Sequence, residues 1–535
     1  MSWSIDLLVI LIYFVVVIGI GLAKGRGEST MEGFAMGGRQ MPWWAVLASI
    51  LAAEISAATF LGAPDEGYAL KNFTYAQLAI GTVLARVIVA YLFIKPFYDY
   101  RVVSIYEFLR IRFGVQTKNA ASIVFLVGRS LASGARLYVA AILLVFGYQM
   151  WSGVKPSSEE ELAIYVGALT AITLLTAVYT TTGGIKAVVW TDVIQACVMF
   201  GALAFAIWTL LDQIPGGWDG AMSRLTGEQD LRFLDTGPAA AAGFWQSVKG
   251  ILEAKYTIWV AFLGSTFVTM ATHGTDQDMV QRMLTAKDHH RSRLALIASG
   301  LADVPVVLAF LLVGILLWVF YQVNPDPDLP KSVFAWYILH ELPTGIRGLV
   351  IAGFFATAMG SLSTALNALA TSFTKDWYVA YIRPGAGDRD VVRAARWSTV
   401  VFSGVLILIG SMTAWATIKL PDLRIIPIVL GIFGYTYGSL LGIFLLGMVT
   451  RARGSERGNV IAMICGFLFV SWLSGLHNDC MRFLGLEQIP QPSWLPVIGF
   501  PWRVMFGTLL TFAIAVLFRT PDSQIQAAAQ QRAQS

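Results

Sequence analysis

The groups in this sequence that could do chemistry are polar side chains stranded inside apolar runs. In SILAAEISAATFLGAPDEGY, Glu54, Ser56 and Thr59 lie midway along a run that opens at Trp43. An ionisable group at that depth in a bilayer costs at least ~2.5 kcal/mol, so Glu54 requires a partner or a water-filled cavity. The small residues around it (Ala52, Ala53, Ser56, Ala57, Ala58), followed by Gly62 and Pro64, allow a helix to be interrupted without showing bare backbone to lipid. A glutamate paired to a neighbouring helix for packing alone is the competing reading.

Four further strings pose the same question. In STFVTMATHGTDQDMVQRMLTAKD, Thr269, Thr272, His273, Gly274, Thr275 and Asp276 interrupt an apolar helix at Gly274, unless that glycine only ends it. Two interrupted helices, one early in each half of a chain, point to inverted repeats around a midplane site. In GLVIAGFFATAMGSLSTALNALATSFTKDWY, Thr357, Ser361, Ser363 and Thr364 concentrate hydroxyls beside Gly360. Ser361 and Thr364, three apart on one face, could offer oxygen ligands to a small hard cation, or simply let helices pack closely. Asp192 in GGIKAVVWTDVIQ adds a carboxylate, and carboxylate with hydroxyl suits an alkali cation better than a transition metal. Arg129 and Arg136 in FLVGRSLASGARLYVAA are seven apart, on nearly one helix face and separated by about 10 Å of rise. They need Glu54, Asp303 or a solute carboxylate as counter-charge.

The elements that must position these groups follow from composition. Of 535 residues, 56% are hydrophobic and 13% charged, against roughly 25% charge in soluble domains. With a mean hydropathy of +0.65 spread along the chain, this is an all-α polytopic membrane protein. The net charge of +5 arises from basic residues scattered singly between apolar runs, which suits lipid headgroups and not nucleic acid. Thirteen runs are long enough to be read as spans: 3–23, 43–70, 75–99, 120–149, 162–182, 184–211, 253–273, 294–322, 345–373, 395–417, 423–449, 459–475 and 500–519. They are numbered spans 1 to 13 below.

The first run has no basic stretch before it and no small-residue cleavage site after it, so it is expected to be retained. Lys and Arg outside the spans favour one side by 22 to 12, which puts the N-terminus outside and the C-terminus in the cytoplasm of a cell inner (plasma) membrane. The connection from Asp212 to Lys249 can hold short helices but no independent domain, and the tail after Arg519 is too short for a signalling module. Three cysteines, Cys197, Cys465 and Cys480, make no disulfide framework, and no HExxH, GxSxG or GxxxxGK[ST] motif occurs, so an enzyme is not expected. Gly434, Gly438 and Gly442, spaced by four in span 11, predict close approach of another helix.

The strings PWWAVLASILAAEISAATFLG, SIYEFLRIRFG, GGIKAVVWTDVIQ, GTDQDMVQRMLTAKD and ELPTGIRGLVIAGFFATAMGSLSTALNALATSFTKDWY, in this order over roughly residues 1–475, resemble the sodium:solute symporter family. The resemblance implies a five-plus-five inverted-repeat (LeuT-like) core with discontinuous helices. The chain then divides into a first span and loop (1–42), a first repeat of spans 2–6 (43–211), an outer connection (212–252), a second repeat of spans 7–11 (253–449), and two extra spans with a tail (450–535).

The resemblance also implies a sodium site made by the carbonyls of Ala52, Ile55 and Thr357 and the hydroxyl of Ser361. Gly360 stands where family members commonly carry a second hydroxyl. A further sodium site of some members maps to Asp192, Ser363 and Thr364, weakened by the same glycine. Solute is then expected beside the breaks, near Glu54, Thr59, Arg136, Thr269 and Thr272. Sugar-carrying members have Gln where Thr59 stands and Asn where Thr269 stands, and Arg136 or Arg129 could instead favour a carboxylate.

The function expected is import of a small polar solute (sugar, carboxylate or amino-acid-like) by sodium-coupled alternating access. Proton coupling through Glu54 or Asp192 is the nearest alternative, followed by a sensor or a membrane enzyme. No cofactor is expected beyond Na+ as coupling ion. The expected partners are solute, sodium and the bilayer, in a monomer or weak dimer.

Overall fold

A computed structural model describes residues 3–25, 27–153, 156–237, 243–419, 431–483, 485–490, 492 and 495–534. The described residues form helices and no strand, apart from two isolated bridges, Met41 with Ala286 and Arg453 with Arg519. Nine of these helices are long and apolar enough to cross a membrane, and a tenth span is the pair Trp43–Glu54 and Ala57–Leu70, bent by 68°.

One of the nine, Ser158–Gln213, has 56 residues. At 1.5 Å per residue that is about 84 Å, far more than one ~30 Å crossing needs. It changes direction at Gly184 (φ 54°, ψ −150°), which divides it into spans 5 and 6. A side chain is excluded there twice over, by the positive φ and by the Phe34 carbonyl, 2.3 Å from where a Cβ would stand.

The two remaining expected spans fall on shorter helices. Span 7 begins later than residue 253, because Phe244–Glu253 is a separate helix. It runs as a π-helical turn, Val260–Gly264, into Ser265–Gly274. Span 13 is Phe500–Ala515, inserted against the glycine row of span 11. A Cβ on Gly438 would stand 2.9 Å from the Val504 carbonyl, and one on Gly442 would stand 2.9 Å from that of Thr508. Span 11 itself is Ile432–Val449, and residues 423–430 of the expected span lie outside the described residues.

The crossing helices differ sharply in burial. In span 9 (Ile346–Phe373) and its continuation, 89% of the apolar window is buried; in span 1 (Ser4–Lys24) only 22% is. Span 9 is thus the central post and packs against both halves of span 2, span 4 (Val115–Ser152) and span 6, while span 1 faces lipid. Span 1 is nevertheless fixed to span 9. Buried Asp6 accepts the backbone N–H of Gly345 (2.7 Å) and Gly348 (2.9 Å) and Arg347 Nε (2.8 Å), so its charge is fully engaged.

Candidate functional site

The first half of span 2 ends at Glu54, and the chain passes through extended backbone at Ile55 (φ −81°, ψ 103°) and Ser56 (φ −95°, ψ 170°) before turning into Ala57–Leu70. The break comes before Gly62 and Pro64, which both stay inside the second half. Ile55 N–H still reaches the Leu51 carbonyl (3.1 Å), and Phe60 N–H reaches that of Ser56 (2.9 Å). Between them, the carbonyls of Ala52, Ala53, Glu54 and Ile55 have lost their helical donors. Backbone oxygens released in a buried place need a donor, water or a cation.

Span 9 faces this break. A Cβ on Gly360 would stand 2.9 Å from the Ala52 carbonyl oxygen and 3.1 Å from Gln195 Oε1 of span 6. Three helices therefore converge on Gly360, and the position is a glycine because a carbonyl of span 2 comes so close. The hydroxyls of span 9 share one habit. Thr357 Oγ1 donates to the Phe354 carbonyl (2.8 Å), Ser361 Oγ to Ala358 (3.1 Å), Ser363 Oγ to Gly360 (3.1 Å) and Thr364 Oγ1 to Ser361 (2.8 Å). Each proton is committed to the helix's own backbone, which leaves oxygen lone pairs for an incoming cation.

Gln195 was not singled out from the sequence. It is buried with its amide toward the hydroxyls of Tyr13 and Tyr179, and neither its oxygen nor its nitrogen makes a hydrogen bond of 3.5 Å or less. Its signal lay in GGIKAVVWTDVIQ, three residues after Asp192, but no single-sequence argument brings span 6 to Gly360.

Asp192 itself is held elsewhere. Its Oδ2 accepts Ser49 Oγ (2.5 Å) and lies 3.5 Å from Arg282 Nη2, while Oδ1 has no partner. Arg282 also donates through Nε to Ser49 Oγ (2.8 Å) and through Nη1 to Asp278 Oδ1 (2.8 Å). Thr364 leans toward Asp278 Oδ2 (3.4 Å), and among the described residues no hydrogen bond joins Asp192 to Ser363 or Thr364.

Span 7 is interrupted, and the chain does not simply end at Gly274. Asp276 is extended (φ −99°, ψ 123°), and Gln277–Met283 continues as a fully buried helical turn. This break engages Arg129. Its Nη1 donates to Asp276 Oδ2 (2.9 Å) and its Nη2 to Asp278, while Tyr437 of span 11 donates to Asp276. The pairing of Arg129 with Glu54 or Asp303 is thereby corrected: its side chain faces the span 7 break.

Glu54 pairs instead with Arg86 of span 3, whose other nitrogen donates to Ser299 Oγ of span 8 (2.7 Å). Its side chain keeps 26% exposure, enough to meet a cavity. Thr59 Oγ1 lies 3.5 Å from Ser56 Oγ, Thr269 Oγ1 3.3 Å from Thr82 Oγ1, and Thr272 donates to the Thr269 carbonyl (3.2 Å) and meets His273 Nδ1 (2.9 Å). Thr269 thus turns toward span 3.

Arg136 differs from the other membrane-depth arginines. No carboxylate lies within 4 Å of it among the described residues, and its guanidinium rests 4.7 Å from the centre of the Phe433 ring. It lines a small cavity with Arg129, Ser133, Ala57 and Ser361. That cavity is about 20 Å³, room for a water or an ion and not for an organic solute.

The break in span 2 thus faces Gly360 of span 9, and an arginine without a carboxylate partner lines the small cavity beside Ala57 and Ser361. The family model of sodium:solute symporters matches residues 34–466. The chain belongs to the sodium:solute symporter family. It is 27% identical over 523 residues to the sodium/sialic acid symporter SiaT of Proteus mirabilis, covering 96% of both chains. It is likewise 27% identical to the human sodium-coupled monocarboxylate transporter 1, covering 85% of this chain and 70% of that one. A solved structure of a sodium-coupled sialic acid symporter, substrate-bound and outward-open, superposes with a TM-score of 0.77 over 96% of this chain and 97% of that one, at 22% identity. The likeness establishes a shared fold, and membership in this family of multi-span transporters makes the chain a multi-pass membrane protein.

Proposed function

We propose that the protein imports a small carboxylate-bearing organic solute by sodium-coupled alternating access. The observation that carries this reading is the interruption of span 2, with four carbonyls stripped of helical donors, against a face of span 9 whose hydroxyls have already spent their protons. Such a set offers oxygens without net charge, which can hold an alkali ion and still release it. The carbonyls of Ala52, Ile55 and Thr357 and the Ser361 hydroxyl are the proposed ligands. Gln195 Oε1, unpartnered beside Gly360, supplies the oxygen that the glycine lacks.

Arg136 is the proposed reader of the solute carboxylate, with Glu54, Thr59, Thr269 and Thr272 shaping the remainder of the pocket. Its lack of an internal partner supports this, since a guanidinium at that depth needs an anion. The roughly 20 Å³ beside it fits an arrangement in which solute has not yet opened its site. Asp192, Ser363 and Thr364 carry a weaker case for a second sodium: Asp192 Oδ1 is free to accept, but Oδ2 is committed to Ser49 and Arg282.

Spans 2–6 and 7–11 are proposed as the two inverted repeats, with the N-terminus outside and the C-terminus cytoplasmic. A monocarboxylate cancels the charge of one sodium, so voltage contributes only when a second sodium is carried; each net charge moved through 100 mV then supplies about 2.3 kcal/mol, roughly fiftyfold in solute gradient. The pairing of Glu54 with Arg86 and of Asp192 with Arg282 argues against either acid as a freely titrating proton carrier.

Uptake of organic acids into proteoliposomes, at fixed pH with and without an inward sodium gradient, tests the reading. Accumulation that needs sodium and ignores a pH gradient is expected; accumulation driven by protons alone contradicts it. Gln195→Leu should raise the half-saturating sodium concentration by about 10-fold, as losing a polar group from a charged partner does. An unchanged half-saturation in Gln195→Leu removes Gln195 from the cage.

A further inference from the structure

We infer that the start of span 10 is a built site for the headgroup of an anionic phospholipid, whose acyl chain lies along the outer face of the same helix. Span 10 is Asp388–Lys419, and its first turns lie on the side of the membrane that loop charge assigns to the cytoplasm. Arg389, Arg393 and Arg396 recur at helical spacing and line one cavity of about 610 Å³ together with Thr181, Asp390, Trp397 and Val400. Three guanidiniums on one stripe repel one another unless an anion lies between them.

The arginines are not consumed by the protein. No carboxylate lies within 4 Å of any of the three among the described residues, and Asp390, the acid that lines the cavity, is engaged by Arg383 at 3.2 Å. Arg396 is oriented by the carbonyls of Glu28 (3.3 Å) and Thr182 (3.4 Å), which accept only from Nη2. Its Nε is buried without a partner, as is Thr181 Oγ1 from the neighbouring helix. Two unspent donors and two exposed guanidiniums thus belong to the residues bordering one space, a pattern that suits phosphate oxygens.

The helix below the arginines identifies the anion as a lipid. Trp397 is 65% exposed, and the stripe continues through Val400, Val401, Leu408 and Met412, all exposed. A Cβ on Gly404, between them, would meet nothing within 4 Å, which leaves a shallow channel along the helix. A soluble phosphate would use the arginines and ignore this stripe; a phospholipid uses both. Basic pockets between helices on the cytoplasmic side are where acidic headgroups bind, with about one headgroup-facing arginine contributing a tenfold or smaller gain each.

The test uses the purified full-length protein, stripped of lipid in detergent, with thermal unfolding followed as phosphatidylglycerol, phosphatidylcholine, glycerol 3-phosphate or inorganic phosphate is titrated in. Phosphatidylglycerol should stabilise the native chain at lower concentration than the other three. Arg389→Gln/Arg393→Gln should need about 30-fold more phosphatidylglycerol. Both side chains are exposed or nearly so, and the unliganded unfolding temperature should not move. Arg451→Gln/Arg457→Gln, a basic pair away from the cavity, should titrate like the native chain. Equal response of the Arg389/Arg393 variant and the native chain overturns the proposal, as does equal stabilisation by phosphatidylcholine, glycerol 3-phosphate or inorganic phosphate.

Discussion

Two buried polar regions lie side by side in this protein and are built on opposite principles. Around the span 2 break, oxygens outnumber donors: the carbonyls of residues 52–55 have no backbone N–H, and the amide of Gln195 makes no hydrogen bond. Around the span 7 break, charge answers charge, with Arg129 between Asp276 and Asp278 and Arg282 between Asp278 and Asp192. The first region is incomplete by itself and asks for a visitor that can leave. The second is answered mostly from within, and it ties spans 4, 6, 7 and 11 to one another. A transporter requires both, because a site that is emptied in each cycle must be framed by contacts that persist or break only as a unit.

The comparison is broken most severely by removing a guanidinium from the charged region. Arg282→Met leaves Asp192 buried without its arginine and Asp278 with Arg129 alone, and a loss of about 3–5 kcal/mol is expected, read as a large fall in unfolding temperature. A variant as stable as the native chain would show that this region does not hold the helices together. Arg136→Gln acts on the other side of the comparison. It should weaken binding of a carboxylate solute by about 10- to 100-fold, leave a neutral analogue unaffected, and leave stability in place because no internal pair is lost.

Ser361→Ala sharpens the distinction further. The hydroxyl makes only a short-range bond to its own helix, so folding should be untouched while half-saturating sodium rises about 10-fold. The smallest effect on sodium is expected for Asp192→Asn, which should lower stability through Arg282 and leave sodium half-saturation where it was. If Asp192→Asn matched Ser361→Ala in sodium dependence, the two regions would be one site.

The sequence revealed the unusual residues better than their partners. Glu54 among alanines, and four hydroxyls around Gly360, were legible because each violates the apolar rule of its own span, and the interruption of span 2 fell within two residues of Glu54. The close packing of the span 11 glycines was legible for the same local reason. What joined these residues was not. Arg129 answers Asp276 across 147 residues and Gly360 meets Gln195 across 165, and neither pairing has a local signature. Asp278 and Arg282, one helical turn apart in the quoted GTDQDMVQRM string, did carry an i, i+4 signal for an ion pair. The late start of span 7 and the early end of span 13 were not legible because hydropathy reports the length of an apolar run and not where its helical hydrogen bonding begins and ends.

The most direct measurement of the central claim is a sodium titration of the purified protein, with unfolding temperature as readout and choline replacing sodium at constant ionic strength. Saturable stabilisation of the native chain by sodium is expected, shifted to about 10-fold higher concentration in Ser361→Ala with no change in the choline baseline. Absence of any sodium-specific stabilisation, or the same half-saturation in both proteins, would contradict it.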